Sequence, residues 1–427
     1  MSFLIFFFLL SLSFSLDLET LWKKALEKNP SIAAFRRDVE ASFFQLKASK
    51  NLYLPHVEIF YKFTYQNEEQ RLKLDLGLIN GDFRTLKDRY QSFGVSLREL
   101  LYDFGARESY VKISQKLLEI KKLLYEEKKE DILLEVALAY LDTLSAKNLI
   151  EVYKKQKEAV KSQYELSKAY YEKGLVAITD ILEARVKLSE VERKLKRAQA
   201  NYRISLSNLS RLTKVSEKDL EKLSQPKLNV RIKDLDFYIG EALKRRSLLK
   251  AYLKRIEIEK LKEKIKLSLF LPKIFLEVSY LYTNQNPIVY PKGLTFFSVG
   301  TSLSFRGIQP YYENLSVKAQ KKKVLKEYEE MADLIKLDVK RAYEELKTAK
   351  ENLKVTSQAL EFAKKHYELS LEQYRNQLIS QTQLLIAEAR LTEARKALII
   401  SRYEFLKAYF KLLRASGLLK IGGGLGK

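Results

Sequence analysis

His56 and His366 are the only histidines in a chain of 427 residues that contains no cysteine. Metal sites built from side chains draw on His, Cys and carboxylates clustered at short, fixed spacings. These two histidines lie far apart, so no metal site is expected. Other patterns that carry chemistry are also missing: no Gly-rich phosphate loop, no nucleophile elbow and no paired catalytic acids stand out. The absence of Cys removes disulfides, thiolate metal sites and a lipid-acceptor thiol. The residues point to no enzyme, no catalytic site and no cofactor.

Charge is the next candidate for chemistry. Lys and Arg number 78 against 54 Asp and Glu, a net charge of +24. A surplus of this size can mark a nucleic-acid binder. Here the cations are interleaved with acids, as in Glu126-Glu127-Lys128-Lys129-Glu130-Asp131, which reads as solvated helix faces rather than a phosphate-binding patch. No nucleic-acid partner is expected. The apolar run from Phe3 to Phe14 is too short to span a bilayer, and Ser13-Phe14-Ser15 is a small-residue cleavage pattern. Residues 1–15 read as a secretory signal peptide, although no Lys or Arg precedes the run and an N-terminal anchor is the other reading.

The elements that must position the remaining residues come in two copies. Leu52-Tyr53-Leu54-Pro55-His56-Val57 finds a counterpart in Leu269-Phe270-Leu271-Pro272-Lys273-Ile274, and Ala25-Leu26 finds one in Ala242-Leu243 at the same offset. Further on, Ile181, Ala184, Leu188, Val191, Leu195, Ala198, Tyr202, Ser205, Leu209 and Leu212 fall at alternating spacings of three and four. Leu384, Ala387, Leu391, Ala394, Leu398, Ser401, Phe405, Ala408, Leu412 and Ala415 repeat the phase. The second offset is shorter, so the first copy holds extra residues, placed in a polar hairpin loop at 66–89 around Asn80-Gly81. The expected organisation is a signal at 1–15, a first repeat at 16–213 with a β-hairpin at 52–102, and a linker at 214–235. A second repeat follows at 236–416 with a β-hairpin at 272–305, then a flexible tail at 417–427.

Residues 103–171 contain only Gly105 as a breaker, and 311–378 contain neither Gly nor Pro. As helices each would run for roughly 100 Å, which calls for coiled-coil support. Four segments alternate with a period of two: Val57, Ile59, Tyr61, Phe63, Tyr65; then Phe93, Val95, Leu97; then Ile274, Leu276, Val278, Tyr280, Tyr282; then Phe297, Val299, Thr301, Leu303, Phe305. Ten residues suffice for a tilted strand to cross a bilayer. Pattern alone favours a soluble sheet with one buried face. Four strands cannot close a barrel, and an open edge cannot lie in lipid, so a membrane role requires several chains to pool their strands.

Three stretches resemble the TolC family of outer-membrane efflux proteins: the opening helix at 18–30, Leu100-Leu101-Tyr102-Asp103-Phe104-Gly105-Ala106-Arg107 as a strand-to-helix passage, and Gly174-Leu175-Val176-Ala177-Ile178-Thr179-Asp180-Ile181 as a helix-to-helix turn at the periplasmic tip. The resemblance implies a mainly α chain with membrane β structure: long antiparallel helices forming a coiled-coil barrel, and four strands per chain contributing to a trimeric 12-stranded transmembrane β-barrel. It implies a homotrimer in the outer membrane of a Gram-negative bacterium, in contact with outer-membrane lipid. The trimer would be the passive exit duct of a tripartite efflux or type I secretion system, docked on a periplasmic adaptor protein and an inner-membrane RND or ABC transporter. Gly174, Leu175, Val176, Gln377 and Leu378 would form the tip and docking surface. Thr179 and Asp180 would face Tyr374 of a neighbouring helix as a gate. Gly174 suits a turn with positive φ; Gln377 stands where the second tip would normally have Gly, so that turn is expected to form differently. An exported coiled-coil scaffold and a periplasmic adaptor are the competing readings; neither a scaffold nor an adaptor accounts for the two strand pairs.

Overall fold

The computed structural model describes residues 16–75, 77, 80–226, 230–305 and 307–422. The expected signal peptide and the last five residues of the expected tail lie outside them. The chain runs α1 (Leu18–Lys28), α2 (Pro30–Lys50), a 3-10 turn (Asn51–Tyr53), β1 (His56–Tyr65), β2 (Gln70–Asp75), β3 (Asn80–Leu86), β4 (Arg89–Tyr102), α3 (Ala106–Glu172), α4 (Ile178–Thr213) and α5 (Glu217–Leu220). It continues with α6 (Leu235–Arg245), α7 (Ser247–Ser268), β5 (Lys273–Thr283), β6 (Gly293–Ser302), α8 (Gln309–Arg375) and α9 (Gln381–Ala415). The internal repeat reappears element by element: α3 and α8 are each 67 residues long, α4 and α9 36 and 35.

The chain divides into two compact units. The first comprises residues up to 37, 123–249 and from 329 onward. Its core gathers Leu21, Trp22, Leu141, Leu144, Leu209 and Phe410, all fully buried. Trp22 packs edge-on against Phe410, and its indole N–H donates to the Leu133 carbonyl at 2.8 Å, so this large ring is buried with its polar handle satisfied. The residues after α4 are packed rather than loose. Leu220 is fully buried, Tyr140 donates to the Ser224 carbonyl, and Tyr403 donates to Gln225 at 3.0 Å. Of the expected heptad positions, Ala184, Leu188, Val191, Leu384, Ala387 and Leu391 are buried. Past α9, Gly417 takes a positive φ and Leu419 is fully buried.

The second unit comprises residues 38–122 and 250–328. It holds a four-stranded antiparallel sheet in the order β1-β4-β5-β6, with β1 and β6 at its edges. β4 is longer than its pattern predicts because it pairs on both sides, with β1 and with β5. β6 begins earlier and ends at Ser302: β5 starts at Lys273, which is the partner of Ser302, so Leu303 and Phe305 have no strand to pair with. The polar stretch expected to be one loop forms a separate two-stranded ribbon of β2 and β3. Asn80-Gly81 opens β3 opposite Asp75 and Leu74 instead of forming the turn. Arg71 donates to Asp82 at 2.9 Å and Arg84 to Glu69 at 2.8 Å across this ribbon.

Candidate functional site: the sheet and the helix-to-helix turns

The sheet's register decides what its faces can do. Val57 lies opposite Leu97, which lies opposite Val278, which lies opposite Phe297. The next such row is Ile59, Val95, Tyr280 and Thr295. All four alternating stripes therefore share one face, since residues two apart on a strand point the same way. The other face carries His56, Arg98, Glu277 and Ser298 in one row and Glu58, Ser96 and Ser279 in the next. Phe60, which breaks the alternation of β1, lies over Gly94 on this polar face, where the missing Cβ leaves room for its ring. Nothing among the described residues covers the apolar face. Ile59 is 68% exposed and Phe297 77%. A soluble sheet would bury such a stripe; this one presents it.

The passage from sheet to long helix is fixed by Asp103, whose carboxylate accepts from the backbone N–H groups of Gly105 and Arg107 at 3.2 and 2.7 Å. This caps α3 while Phe104 and Gly105 take positive φ values of 55° and 79°. Arg107 then pairs with Glu99 at 3.1 Å and lies over the Tyr53 ring.

The two helix-to-helix turns have the same backbone. After α3, Gly174 has φ 71°, its N–H donates to the Tyr171 carbonyl at 2.8 Å, and the Leu175 N–H reaches back to Tyr170 at 2.9 Å. After α8, Gln377 has φ 59°, its N–H donates to Tyr374 at 2.9 Å, and the Leu378 N–H reaches Gln373 at 2.8 Å. Both are Schellman closures, so the second turn does not form differently; Gln377 adopts the left-handed conformation without being Gly. A side chain there is strained by about 1 kcal/mol. Gln377→Gly is accordingly expected to stabilise this turn by about that amount, seen as slower amide exchange at 376–380. Unchanged or faster exchange would refute the strain.

The second turn has a compensation that the sequence reading missed. Ser380 caps α9, and Gln383 returns the bond to the Ser380 N–H at 2.9 Å, a capping box. The Ser-x-x-Gln spacing was the available signal. The first turn has no such cap: Ala177 precedes α4, and Asp180 in the first helical turn supplies negative charge to the helix N-terminus.

Leu175 and Leu378 are exposed at the turns, Thr179 is exposed, and Asp180 and Val176 are half-buried. Tyr374 is buried and stacks at a tilt on Tyr170, with ring centroids 6.1 Å apart. Its hydroxyl lies 3.5 Å from Ser167 Oγ on α3, not on Asp180. Burial pushes the Tyr374 phenol up; Ser167 opposes this and the nearby Asp180 charge adds to it. Asp180 thus acts on Tyr374 through its field within one chain, without a hydrogen bond. The turns are tied to each other by Thr382, which donates to Glu183 at 2.9 Å. Polar groups continue inward: buried Gln156 donates to Glu388 at 3.0 Å, Thr392 donates to Glu388 at 2.7 Å, and the buried Gln381 amide has no hydrogen-bond partner among the described residues. An orphaned amide costs about 1–3 kcal/mol, so this end of the helices is held less firmly than the Trp22 core. No group of His, Asp and Glu among the described residues could hold a metal.

The chain thus combines the long helices α3, α4, α8 and α9 with a sheet whose apolar face is uncovered among the described residues. Residues 21–213 match the family described as Outer membrane efflux protein. TolC of Escherichia coli is 23% identical over 203 residues, and the alkaline protease secretion protein AprF of Pseudomonas aeruginosa 26% identical over 203. Each alignment takes in just under half of this chain, 48% and 47%, and only 39% and 41% of the relative's length. The fold extends much further. The outer membrane protein VceC of Vibrio cholerae superposes with a TM-score of 0.77 at 16% identity, covering 96% of this chain and 97% of that one. The CmeC outer membrane channel of Campylobacter jejuni gives 0.75 at 16% identity over 96% of this chain and 87% of that one. The family match and the relatives thus each take in just under half of this chain, and the solved structures share its fold.

Proposed function

We propose that three copies of this chain form the passive exit duct of an efflux or secretion system in the outer membrane of a Gram-negative cell. The duct works with a periplasmic adaptor and an inner-membrane pump of the RND or ABC type. The observation that carries this is the sheet: one continuous apolar face, with open edges at β1 and β6 and no cover among the described residues. Unpaired edge groups facing hydrocarbon cost several kcal/mol each, so the sheet is stable in lipid only as part of a closed barrel. Four antiparallel strands leave β6 running opposite to β1, so β6 of one copy can pair antiparallel with β1 of the next. Three copies then give twelve strands, an even, fully antiparallel set. Uncovered stripes on the helices support the same assembly: Val355, Phe362 and Leu369 recur every seventh residue on α8, and Ile178, Leu182 and Val186 every fourth on α4.

The chain has no native Cys, so a cysteine in β1 scanned against one in β6 tests the closure directly. Oxidation should give dimer and trimer rungs from membranes, and exclusively monomeric protein at every pairing, or recovery in the soluble fraction without detergent, would overturn the duct. The turns are the proposed docking surface and gate: Leu175, Val176 and Leu378 offer apolar contacts around Gly174 and Gln377, and Thr179, Asp180 and Tyr374 hold the end narrow. Asp180→Ala combined with Tyr374→Phe is expected to raise single-channel conductance in planar bilayers. A closed-state conductance equal to wild type would remove these residues from the gate.

A further inference from the structure

We propose that the polar face of the sheet attracts anions at its helix-proximal end, so that the pore passes anionic solutes in preference to cationic ones. This rests on the barrel reading, in which the polar face lines the lumen. On that face of the four strands the cations are Lys62, Arg98 and Lys273 with His56 beside them, and the acids are Glu58 and Glu277. Their arrangement is uneven. Arg98 is neutralised locally: its Nε lies 3.3 Å from the Glu277 carboxylate, and its guanidinium lies 4.4 Å from the centre of the Phe275 ring. Glu58 and Lys62 stand two and six residues from His56 along β1, and neither lines the recess that holds His56 and Lys273. Lys273 is left over. It is exposed and has no side-chain partner among the described residues, and neither has His56.

These groups meet in one place. His56, Arg98, Lys273, Phe275 and Ser302 line a recess of about 550 Å³ where the strands give way to the helices. The recess offers the free Lys273 ammonium, the Arg98 guanidinium already paired with Glu277, and a hydroxyl, with no acid among its lining residues. With a free ammonium and no carboxylate in the lining, that set suits a carboxylate or phosphate oxygen better than a cation. Three chains around one lumen place three such recesses at a common level. Fixed charges on a low-dielectric wall concentrate the opposite ion nearby, an effect limited at about 0.1 M salt to a Debye length of about 10 Å. The net charge of +24 per chain has the same sign.

The test is a reversal potential in planar bilayers under a KCl gradient, using the purified full-length protein. Wild type should reverse on the chloride side of zero, and the offset should shrink when both chambers are raised to molar salt. Lys273→Gln should move the potential toward zero, and Lys273→Glu should carry it toward the potassium side. Lys273 is exposed and unpartnered, so neither change threatens folding. Steps of conductance with a wild-type potential at zero or on the potassium side would overturn the anion preference while leaving the duct standing. A clear chloride-side potential unmoved by Lys273→Glu would overturn the assignment to this recess. A protein that never yields conductance steps would overturn the duct itself and this inference with it.

Discussion

Val95→Arg is expected to remove the protein from the outer membrane, whereas Ser96→Arg, one residue along the same strand, leaves it there. Val95 sits in the apolar row with Ile59 and Tyr280, and Ser96 in the polar row with Glu58 and Ser279. A guanidinium on the lipid face near the bilayer midplane costs about 2–4 kcal/mol, and a lumen-facing substitution costs little. In a trimer the lipid-face penalty is met three times, roughly 6–12 kcal/mol in all, comparable to the whole stability of an ordinary domain. Ser96→Arg also gains a carboxylate across the strand pair in Glu58. The measurement is the amount of heat-modifiable trimer in outer-membrane fractions. Full assembly of Val95→Arg, or loss of both variants alike, would mean that the register does not separate a lipid face from a lumen face.

That contrast is available because strand faces were legible in the residues alone. Alternation over Val57 to Tyr65 and Ile274 to Tyr282 named the apolar side of each strand, and the doubling of the Leu-Pro motif at Pro55 and Pro272 named two strand pairs. The two hairpins gave the pairing of β1 with β4 and of β5 with β6, but the sequence was silent on how the hairpins join, because pairing β4 with β5 joins residues far apart in sequence, Val95 with Tyr280 for example. The strand ends were misplaced for the same reason. Leu303 and Phe305 keep the alternation, but a strand stops where its partner stops, and the partner's start at Lys273 carries no mark in the β6 sequence.

The turns show a different limit. Gly174 announced positive φ; Gln377 has the same geometry and gave no such sign, because the closure is dictated by backbone bonds from Gln377 and Leu378 and is tolerated by a side chain at modest cost. The capping box at Ser380 and Gln383 lay within the local window and was readable. The contact between Tyr374 and Ser167 was not: it depends on how α8 packs on α3, and a resemblance placed Tyr374 opposite Asp180 instead.

Arg414 had no sequence signal at all, yet its replacement is expected to have the largest effect on the helical unit. It lies near the end of α9 with its side chain only 8% exposed, and it donates to Glu127 and Asp131, both at 2.7 Å, and to Glu130 at 3.2 Å. Arg246 shares Glu127 at 2.7 Å and also donates to the Ala415 carbonyl at 3.2 Å. Two guanidinium groups therefore serve three carboxylates. Burial alone would push the Glu127 carboxyl up, but Arg414 and Arg246 outweigh it and hold it below its ordinary value of 4.5. Burial pushes Glu130 up despite Arg414, and Glu127 adds repulsion. Arg414→Met removes one cation and leaves the carboxylates with Arg246 alone, a loss of about 3–5 kcal/mol of the kind seen when one member of a buried ion pair is deleted. Arg414→Lys keeps the charge without the fork and should lose less. The sign of the pH dependence follows from the shifts. A carboxyl held low stabilises the fold above its ordinary value, and that contribution is lost as pH falls through its folded value. In wild type, then, Glu127 favours the fold at neutral pH; its contribution starts to decline as pH falls below about 4.5 and is gone only below its lower folded value. In Arg414→Met burial dominates, the carboxyls titrate upward, and protonation relieves the defect, so the gap between variant and wild type should narrow as pH is lowered from 7 toward 5. Amide exchange at Ile132–Leu144, the α3 segment beside this cluster, reads it without requiring reversible unfolding of the assembly. A gap that stays constant over that range would show that lost packing, rather than stranded charge, makes Arg414 necessary.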